Sequence, residues 1–314
     1  DNLWALRELP ARLLVMGGGP IGCELAQAFQ RLGSSVTLID MESRLLPRED
    51  PEVGEFMAEV LSEEGVDVRL NHRATQVGNK VLNADTPKGP VEIDFDEVLV
   101  AVGRRAFTEE LGLEALGITF DGDGTIAVDD YLRTGCANVF ACGDVVGPYQ
   151  FTHMASHQAW YASVNALFGR FKKFKVNYSV VPWCTFSDPE IARVGLSETD
   201  ARARGIPVEV VRYDLDDLDR GIADGSTRGW VKVLVKPGSD RILGACIVGP
   251  AAGELIGEFV SAMTHGLGLK KIMGTIHIYP TLLEANKFAA STWRRAHAPE
   301  GGLRAVGVLH RWLR

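Results

Sequence analysis

Residues 17–22, Gly-Gly-Gly-Pro-Ile-Gly, are suited to bring backbone N–H groups close to a ligand. Gly17 permits a tight turn, Gly19 lets the backbone approach a pyrophosphate, and Gly22 lets a helix pack closely on a strand. The free N–H groups and the dipole at the start of the following helix then face the phosphates. The residues of this turn predicted to form the dinucleotide-binding site are Gly17, Gly19, Pro20, Ile21 and Gly22.

An acidic side chain follows this turn at the distance expected for a ribose ligand. The glycine segment lies between the strand-like runs Ala11–Met16 and Ser35–Ile39, and Asp40 closes the second run. A carboxylate here hydrogen-bonds both ribose hydroxyls and repels a 2′-phosphate, so NAD(H) is favoured over NADP(H). Arg44 and Arg48 could soften that choice, but a solvated loop is the preferred interpretation of both.

The hydrophobic pattern predicts the elements that position these residues. Helices are predicted over Glu24–Leu32 and over residues 50–64, and strands over Val66–Leu70 and Glu97–Arg104. Strands and helices that alternate in this way predict a Rossmann-type α/β domain. The last strand is predicted to be buried and to end in the Gly103-Arg104 dipeptide.

Length and composition limit the class of protein. The chain has 314 residues, of which 46% are hydrophobic and 24% charged, so it suggests a globular protein of about two domains. A net charge of −8 argues against nucleic acid or an anionic membrane as the main partner. No apolar run approaches a membrane span, and five scattered cysteines indicate a reducing, cytoplasmic location. The acidic segment 214–219 has no His or Cys beside it, so no metal site is predicted.

The second half of the chain predicts another ligand position and a second domain. A buried strand is predicted over Val139–Cys142, with Gly143 and Asp144 at its carboxyl end, where α/β proteins bind ligands. Strands over Trp230–Val235 and Ile242–Val248, followed by an amphipathic helix, predict an α+β domain.

Two segments carry a family resemblance. Residues 275–284, Thr-Ile-His-Ile-Tyr-Pro-Thr-Leu-Leu-Glu, resemble the C-terminal His-Pro-Thr-x-x-Glu signature of the class I pyridine nucleotide-disulfide oxidoreductases, which include dihydrolipoamide dehydrogenase and mercuric reductase. Residues 134–145, Thr-Gly-Cys-Ala-Asn-Val-Phe-Ala-Cys-Gly-Asp-Val, resemble the second FAD motif of that family. The resemblance implies a flavoprotein that uses FAD together with NAD(H).

The resemblance also implies roles for individual residues around the two cofactors. Asp144, after Gly143, would hydrogen-bond the ribityl chain of FAD, and Glu24 would lie near the nicotinamide and the flavin. Gly103 would belong to the turn that closes the NAD domain. The backbone of a following segment would pass near the flavin ring, with a structural hydrogen bond as the preferred role of its histidine. Its residues are Phe151, Thr152 and His153.

On the substrate side, this chain departs from the family pattern of a His base paired with a Glu. Glu284 matches, but Tyr279 stands five residues before it, where the His is usual. A tyrosine, with a pKa near about 10, exchanges protons poorly at neutral pH and would instead donate a hydrogen bond or contact a metal ion. On a strand His277 would face the same side as Tyr279 and could replace the base, although a structural role in a dimer interface is preferred. The resemblance implies a homodimer in which the interface domain donates this dyad to the partner's active site.

Two parts of the family pattern are missing from this sequence. They are the N-terminal glycine motif for the adenosine half of FAD and a redox pair spaced Cys-x4-Cys. The chain therefore resembles the C-terminal part of the family. The expected organisation is an NAD(H)-binding domain over 1–105, a returning FAD-domain segment over 106–175, an interface domain over 176–300 and a tail over 301–314.

Two functions follow from these observations. The first is the C-terminal part of an FAD-dependent oxidoreductase that passes hydride from NADH to FAD, and electrons onward to a small-molecule disulfide or a metal ion. The alternative is a non-catalytic dinucleotide-binding and dimerisation module, which the missing cysteine pair and the incomplete FAD site favour. Bound flavin would distinguish the two.

Overall fold

A computed structural model describes residues 2–299, 306 and 310–313. The chain divides into two compact units. The first combines the residues up to Val102 with those from Val180 onward, and the second is Gly103–Ser179. The tail expected over 301–314 lies mostly outside the described residues, and the domain boundaries drawn from the sequence stay a prediction.

The first hundred residues form a parallel sheet with helices and a separate antiparallel sheet. Their elements are β1 (Arg12–Met16), α1 (Pro20–Leu32), β2 (Ser35–Ile39), α2 (Pro51–Glu63), β3 (Asp67–Arg69), β4 (Arg73–Gly78), β5 (Val81–Thr86), β6 (Gly89–Asp94) and β7 (Glu97–Val100). The parallel sheet has the strand order β3-β2-β1-β7, and β4, β5 and β6 form the antiparallel sheet. The predicted Rossmann-type α/β architecture is confirmed.

Strand β1 is covered on both faces, which explains its uninterrupted apolar sequence. Leu13 and Val15 pack in a core that includes residues of α1 and α2, and Leu14 packs on the other side with Leu82 of β5. A parallel strand buried on both faces has a continuous apolar run rather than an alternating one. Because β1 and β2 pair in register along their whole length, their carboxyl ends lie side by side.

Two parts of this region differ from the sequence prediction. The antiparallel sheet of β4, β5 and β6 is not anticipated, because most of β4 is exposed and has few of the apolar residues by which strands are recognised. Strand β7 ends at Val100, where its pairing with Met16 of β1 ends, and Val100 and Val102 are both exposed. The prediction of a buried strand that extends to Arg104 is therefore wrong.

The second unit contains one long helix, α3 (Thr152–Phe168), and little strand structure. Ala162 of this helix packs in a core that also includes Leu132. The strand predicted over Val139–Cys142 reduces to an isolated β-bridge between Phe140 and Arg133. No other described strand continues this pairing, and a strand without such a partner is marginal.

Residues from Pro182 onward form an antiparallel sheet with helices packed on it. The elements are β8 (Pro182–Thr185), β9 (Glu190–Gly195), α4 (Glu198–Ala203), β10 (Glu209–Asp214), α5 (Asp219–Asp224), β11 (Trp230–Val235), β12 (Ile242–Gly249), α6 (Ala252–Thr264), α7 (Leu269–Gly274) and α8 (Glu284–Ala296). The strand order is β10-β11-β12-β9-β8. Phe259 of α6 and Trp293 of α8 lie in the core of this layer. The predicted hairpin and α+β class are confirmed.

A buried charged cluster joins these two parts of the first unit. Lys232 of β11 is almost completely buried and donates from Nζ to Asp50 Oδ2 at 2.7 Å and to Glu198 Oε1 at 2.9 Å. Nearby, the guanidinium of Arg193 lies 2.9 Å from Glu49 Oε2. These pairs fix the start of α2 against the antiparallel sheet, since a buried charge without its partner is costly.

Candidate functional site

In the turn between β1 and α1, two glycines are required by backbone contacts and a third leaves open space. A Cβ atom on Gly22 would lie 1.8 Å from the carbonyl oxygen of Gly17, and one on Gly17 would lie 2.6 Å from that of Ala101. Gly17 also has a φ of +108°, which side chains disfavour. Within the described chain, no atom lies within 4 Å of a Cβ placed on Gly19. The turn is therefore closed by backbone at two positions and open at the third.

The start of α1 presents donors toward this opening. Gly19 is the N-cap with extended backbone, Pro20 is the first helical residue, and the first intrahelical bond runs from Cys23 N–H to Gly19 O at 3.0 Å. The amides of Ile21 and Gly22 precede that bond, and helix geometry leaves them no carbonyl within the helix. The five residues of the predicted dinucleotide-binding turn thus lie at one helix start, whose free amides have the geometry that binds an anion.

Asp40 lies beside this turn at the end of β2. Its Oδ2 accepts the N–H of Gly18 at 2.5 Å, and its Oδ1 accepts the N–H of Glu42 at 2.7 Å. Each carboxylate oxygen has a second lone-pair direction, so the acid can also accept the hydroxyls of a ribose. The open space at Gly19, the unpaired helix amides and this carboxylate together fit NAD(H).

Glu24 lies one turn into α1 and contacts the antiparallel sheet region. Its Oε1 accepts the backbone N–H of Phe186 at 2.8 Å, and burial raises the pKa of Glu24 more than this hydrogen bond lowers it. One turn further, the amide of Gln27 both donates to Asp188 O and accepts from Asp188 N, each at 2.7 Å. The nucleotide-binding helix is therefore bonded directly to the loop between β8 and β9.

The positions predicted for flavin lie in the second unit. Gly143 has a φ of +83°, and its N–H donates to the buried Gln158 Oε1 at 2.6 Å. That bond holds the turn carrying Asp144, whose half-exposed carboxylate lies 3.4 Å from Arg104 Nη1. A half-exposed carboxylate at a glycine turn fits a hydroxylated chain such as that of FAD.

The remaining predicted cofactor positions are the start of α3 and the glycine predicted to close the NAD domain. Thr152 is the first helical residue, and the rings of Phe151 and His153 stack with centroids 5.2 Å apart. Gly103 has a φ of +136°, which only glycine adopts readily, and no atom of the described chain crowds its Cβ position.

The three residues predicted on the substrate side have three different partners. Tyr279 is 67% exposed, and its hydroxyl donates to Asp219 Oδ2 at 2.9 Å. That hydrogen bond, with the charge of Asp219, raises the pKa of Tyr279 and keeps the phenol protonated at neutral pH. Glu284 is buried at the start of α8, where its Oε2 accepts the N–H of Thr281 at 3.2 Å.

His277 is buried whereas Tyr279 is exposed, so the expectation that both side chains face one side of a strand does not hold. Residues 275–283 form no strand, and the His277 ring is buried while Tyr279 is exposed. The ring lies between two acceptors, Thr275 O at 3.0 Å from Nδ1 and Glu258 Oε1 at 3.0 Å from Nε2. This matches the structural interpretation of His277 better than the role of a base.

Two partners of this segment, Glu258 for His277 and Asp219 for Tyr279, are not anticipated from the sequence. Glu258 of α6 also accepts from Asn286 Nδ2 at 3.1 Å, and Asn286 donates to Leu255 O at 3.0 Å. Asp219 is 60 residues from Tyr279 in sequence. No local pattern signals such distant pairs; the only cue is that Glu258 interrupts an otherwise apolar stretch of helix.

Other chemistry is limited among the described residues. All five cysteines are free, and burial raises the pKa of Cys184 to about 12 and keeps the thiols of Cys23 and Cys246 protonated. The described residues contain no group of three His, Cys, Asp or Glu arranged to hold a metal ion. In the same residues, no helix is both long and apolar enough to cross a membrane.

Comparison with known proteins decides the family. Residues 1–159 match the family described as pyridine nucleotide-disulphide oxidoreductase, and residues 181–290 match its dimerisation domain. This chain belongs to the pyridine nucleotide-disulphide oxidoreductase family. The family uses FAD and NAD(H), as the resemblance in the C-terminal signature implies.

Individual members of the family show how much of the fold is shared. The chain is 37% identical over 282 residues to a dihydrolipoyl dehydrogenase of Chlamydia muridarum, covering 89% of this chain and 59% of the relative. It is 36% identical over 292 residues to a mercuric reductase of Streptomyces lividans, covering 92% of this chain and 61% of the relative. The HOCl-induced flavoprotein disulfide reductase RclA of Escherichia coli superposes with a TM-score of 0.83 at 31% identity, over 92% of this chain and 66% of that one. The chain thus spans about three fifths of the length of these curated relatives.

Proposed function

We propose that this chain supplies the NAD(H)-binding part, a portion of the FAD site and the dimerisation part of a flavin-dependent disulfide or metal-ion reductase, similar to dihydrolipoamide dehydrogenase or mercuric reductase. The carrying observation is the turn at the start of α1, closed at Gly17 and Gly22 and open at Gly19, with Asp40 beside it. Free cysteine thiols throughout the chain fit a reducing, cytoplasmic location.

The residues of the first unit would bind and orient the nucleotide. The amides of Ile21 and Gly22 would bind the pyrophosphate, and Asp40 would accept the ribose hydroxyls. The Asp40 carboxylate is held by two backbone N–H groups, so it stays in place without nucleotide and repels a 2′-phosphate. NADH is therefore the proposed nucleotide, and NADPH the weaker ligand. Glu24 would lie at the nicotinamide end of the site.

The second unit would contribute to the flavin site through its glycine turn. Gly143 would let FAD approach, Asp144 would accept hydroxyls of its ribityl chain, and residues 151–153 would lie along the ring. Bound FAD would supply the chemistry of accepting hydride from NADH and passing electrons to the substrate. The carboxylate of Asp144 is half-exposed and only its Oδ2 is paired with Arg104 in the described part of the chain, so lone pairs remain for these hydroxyls.

The segment 275–284 would face the substrate across a homodimer interface. Tyr279 is exposed and protonated, so we propose that it donates a hydrogen bond to substrate or contacts a metal-ion substrate rather than acting as a base. We propose that Glu284 shapes this site from its buried position at the start of α8, and that His277 positions the segment. A small-molecule disulfide or a metal ion is the substrate class.

Titration of the native protein with NADH and with NADPH tests the nucleotide site. Asp40→Asn removes charge-assisted hydrogen bonds of about 1.5–3 kcal/mol. It should therefore weaken NADH binding by at least about tenfold and reduce the preference for NADH over NADPH. The neighbouring exposed carboxylate offers the matched control, Glu42→Gln, which should bind like the parent protein. Absence of NADH binding, or an unchanged Asp40→Asn variant, would contradict the site.

The colour of the natively expressed protein separates the two candidate functions. Bound flavin, released on denaturation and identified as FAD, supports the reductase. A colourless native protein that still binds NADH would instead identify a non-catalytic nucleotide-binding and dimerisation module.

A further inference from the structure

The end of α3 and the turn after it expose a row of large apolar side chains. Phe171 is 91% and Leu167 72% exposed, and Trp160 and Phe168 are also exposed. The spacing 160, 167, 168, 171 places these side chains along one face of a helix and of the turn that extends it. This apolar row belongs to the second unit alone and lies outside every residue assigned to a cofactor.

Basic side chains lie directly beside this row. Residues 168–175 read Phe-Gly-Arg-Phe-Lys-Lys-Phe-Lys, four cations among three phenylalanines in a chain whose net charge is −8. Lys175 is paired with Asp130 at 2.6 Å. Arg170, Lys172 and Lys173 are exposed, and among the described residues none of the three has an acidic partner within ion-pair distance.

The turn that carries these residues has a defined structure. The buried Asn165 donates to the carbonyl of Phe174 at 2.8 Å and accepts its N–H at 2.8 Å. The ring of Phe174 meets Trp160 edge to face, with centroids 6.0 Å apart, and Lys172 lies over the same ring at 5.1 Å. The aromatic and basic groups are therefore presented together before any partner binds.

We propose that this apolar and basic patch, residues 160–173, docks the protein on the surface of an anionic lipid bilayer. Exposed aromatic and leucine side chains insert at the headgroup boundary, while Lys and Arg extend to the phosphates. The electrostatic attraction between cations and lipid phosphates falls off within about 10 Å, so the charges close to the membrane decide such binding. The negative net charge of the whole chain therefore does not prevent it. The proposal does not rest on the reductase function.

Nucleic acid is the less suitable partner for the same surface. Single strands bind where aromatic rings line a groove that follows the backbone. Here the most exposed groups include the aliphatic Leu167, which offers no surface for base stacking, and they form a row on a helix end. Lipid acyl chains accept both kinds of apolar side chain.

Flotation of the complete native protein with vesicles tests the proposal. Vesicles of phosphatidylcholine with phosphatidylglycerol should bind the protein, vesicles of phosphatidylcholine alone should not, and added salt should weaken binding. Neutralising Arg170→Gln, Lys172→Gln and Lys173→Gln together should weaken binding on the order of a hundredfold, about fivefold for each cation. Phe171→Ser should weaken it by roughly tenfold with charge unchanged.

A matched triple variant removes the same charge elsewhere. Arg202→Gln, Arg204→Gln and Lys236→Gln are exposed on the other unit and should leave vesicle binding unchanged. The proposal fails if anionic vesicles do not bind the protein, if neutral vesicles bind it equally, or if the control triple loses as much as the patch triple. Capture of single-stranded oligonucleotides in place of vesicles, lost in the patch variants, would assign the surface to nucleic acid and overturn it.

Discussion

At the scale of single residues, Gly19 and Gly22 differ in whether a side chain would fit at their position. Both stand in one turn, but a Cβ at Gly22 meets the backbone of Gly17, whereas a Cβ at Gly19 meets nothing in the described chain. The fold itself therefore requires Gly22, and we propose that Gly19 serves a ligand that approaches the backbone closely.

We expect the two alanine variants to fail in different ways. Gly22→Ala should lower the free energy of unfolding by about 3 kcal/mol, because rigid backbone must move. Gly19→Ala should lower the free energy of unfolding by about 1 kcal/mol or less, yet weaken NADH binding by at least about tenfold. Denaturant unfolding and NADH titration measure both, with Gly78→Ala in β4 as a control that has equal space and no ligand role. Normal NADH affinity in Gly19→Ala would contradict the assignment.

We propose a structural role for a second pair of residues, His277 and Glu258. Both ring nitrogens of His277 lie at hydrogen-bond distance from an acceptor, Thr275 O for Nδ1 and the carboxylate of Glu258 for Nε2. Glu258→Gln should therefore lower the free energy of unfolding by about 1.5–3 kcal/mol, the value of a hydrogen bond to a charged group. Glu254→Gln, exposed one turn earlier on α6, should change it little. Equal losses in the two variants would refute the pairing.

The sequence reveals the glycine site well and the substrate side poorly, for a physical reason. The φ of Gly17 and the contact between Gly22 and the backbone of Gly17 are requirements that arise within a few residues, so the spacing of these glycines is visible in the chain. The partner of Tyr279 lies 60 residues away and that of His277 lies 19 away. Such pairings depend on how helices pack, which no local pattern records.

At the scale of elements, the charged cluster around Lys232 ties helix α2 to strand β11. Burial alone would raise the pKa of Asp50, but the hydrogen bond from Lys232 and the N–H of Thr199 outweigh it and lower that pKa from 3.8 to about 2. A carboxyl group with a lowered pKa stabilises the fold above its unfolded pKa, and this contribution is lost as the pH falls through the folded value.

The stability difference between the parent protein and Asp50→Asn should therefore depend on pH. At pH 7 the variant should be less stable by about 2 kcal/mol or more, and the gap should shrink by about 2 kcal/mol as the pH falls from 4 to 2. Denaturant unfolding at a series of pH values measures this gap. Asp85→Asn, at an exposed position of β5, is the control. A gap that is independent of pH would disprove the role of Asp50.

The elements that the sequence predicts are those with a clear apolar pattern. The β11–β12 hairpin and the helices of the nucleotide-binding part are buried on a defined face, and their periodicity is strong. Strand β4 is largely exposed, and among the described residues the segment around Phe140 has only an isolated bridge to Arg133. Because β4 is exposed, it lacks the apolar pattern by which strands are recognised. The segment around Phe140 does not form a strand because no other described strand pairs beside it.

At the scale of the whole molecule, the segment before α8 exposes an apolar surface that a homodimer would cover. Ile276 is 94% exposed and Ile278 is also exposed, beside Tyr279. The match to the family's dimerisation domain spans this segment. Two exposed isoleucines on a segment held by buried bonds of His277 are consistent with a two-fold interface.

Replacing both isoleucines should dissociate such a dimer. Ile276→Glu with Ile278→Glu removes apolar burial worth about 1.5–3 kcal/mol for each side chain and places like charges together, so the dissociation constant should rise at least about a hundredfold. Sedimentation of the native protein measures the change. Ile222→Glu, exposed on α5, should sediment as the parent does. An unchanged dimer in the double variant would locate the interface elsewhere.

The separation of paired charges along the chain has a consequence during synthesis on the ribosome. Asp50 and Lys232, joined in the folded protein, are 182 residues apart in sequence. At roughly 5–20 residues per second, translation takes about 10–40 s between them. During that interval the carboxylates of the emerging nucleotide-binding part stay hydrated at the surface that will later be buried. These ionised carboxylates help the nascent chain to remain soluble until Lys232, which pairs with Asp50, has been synthesised.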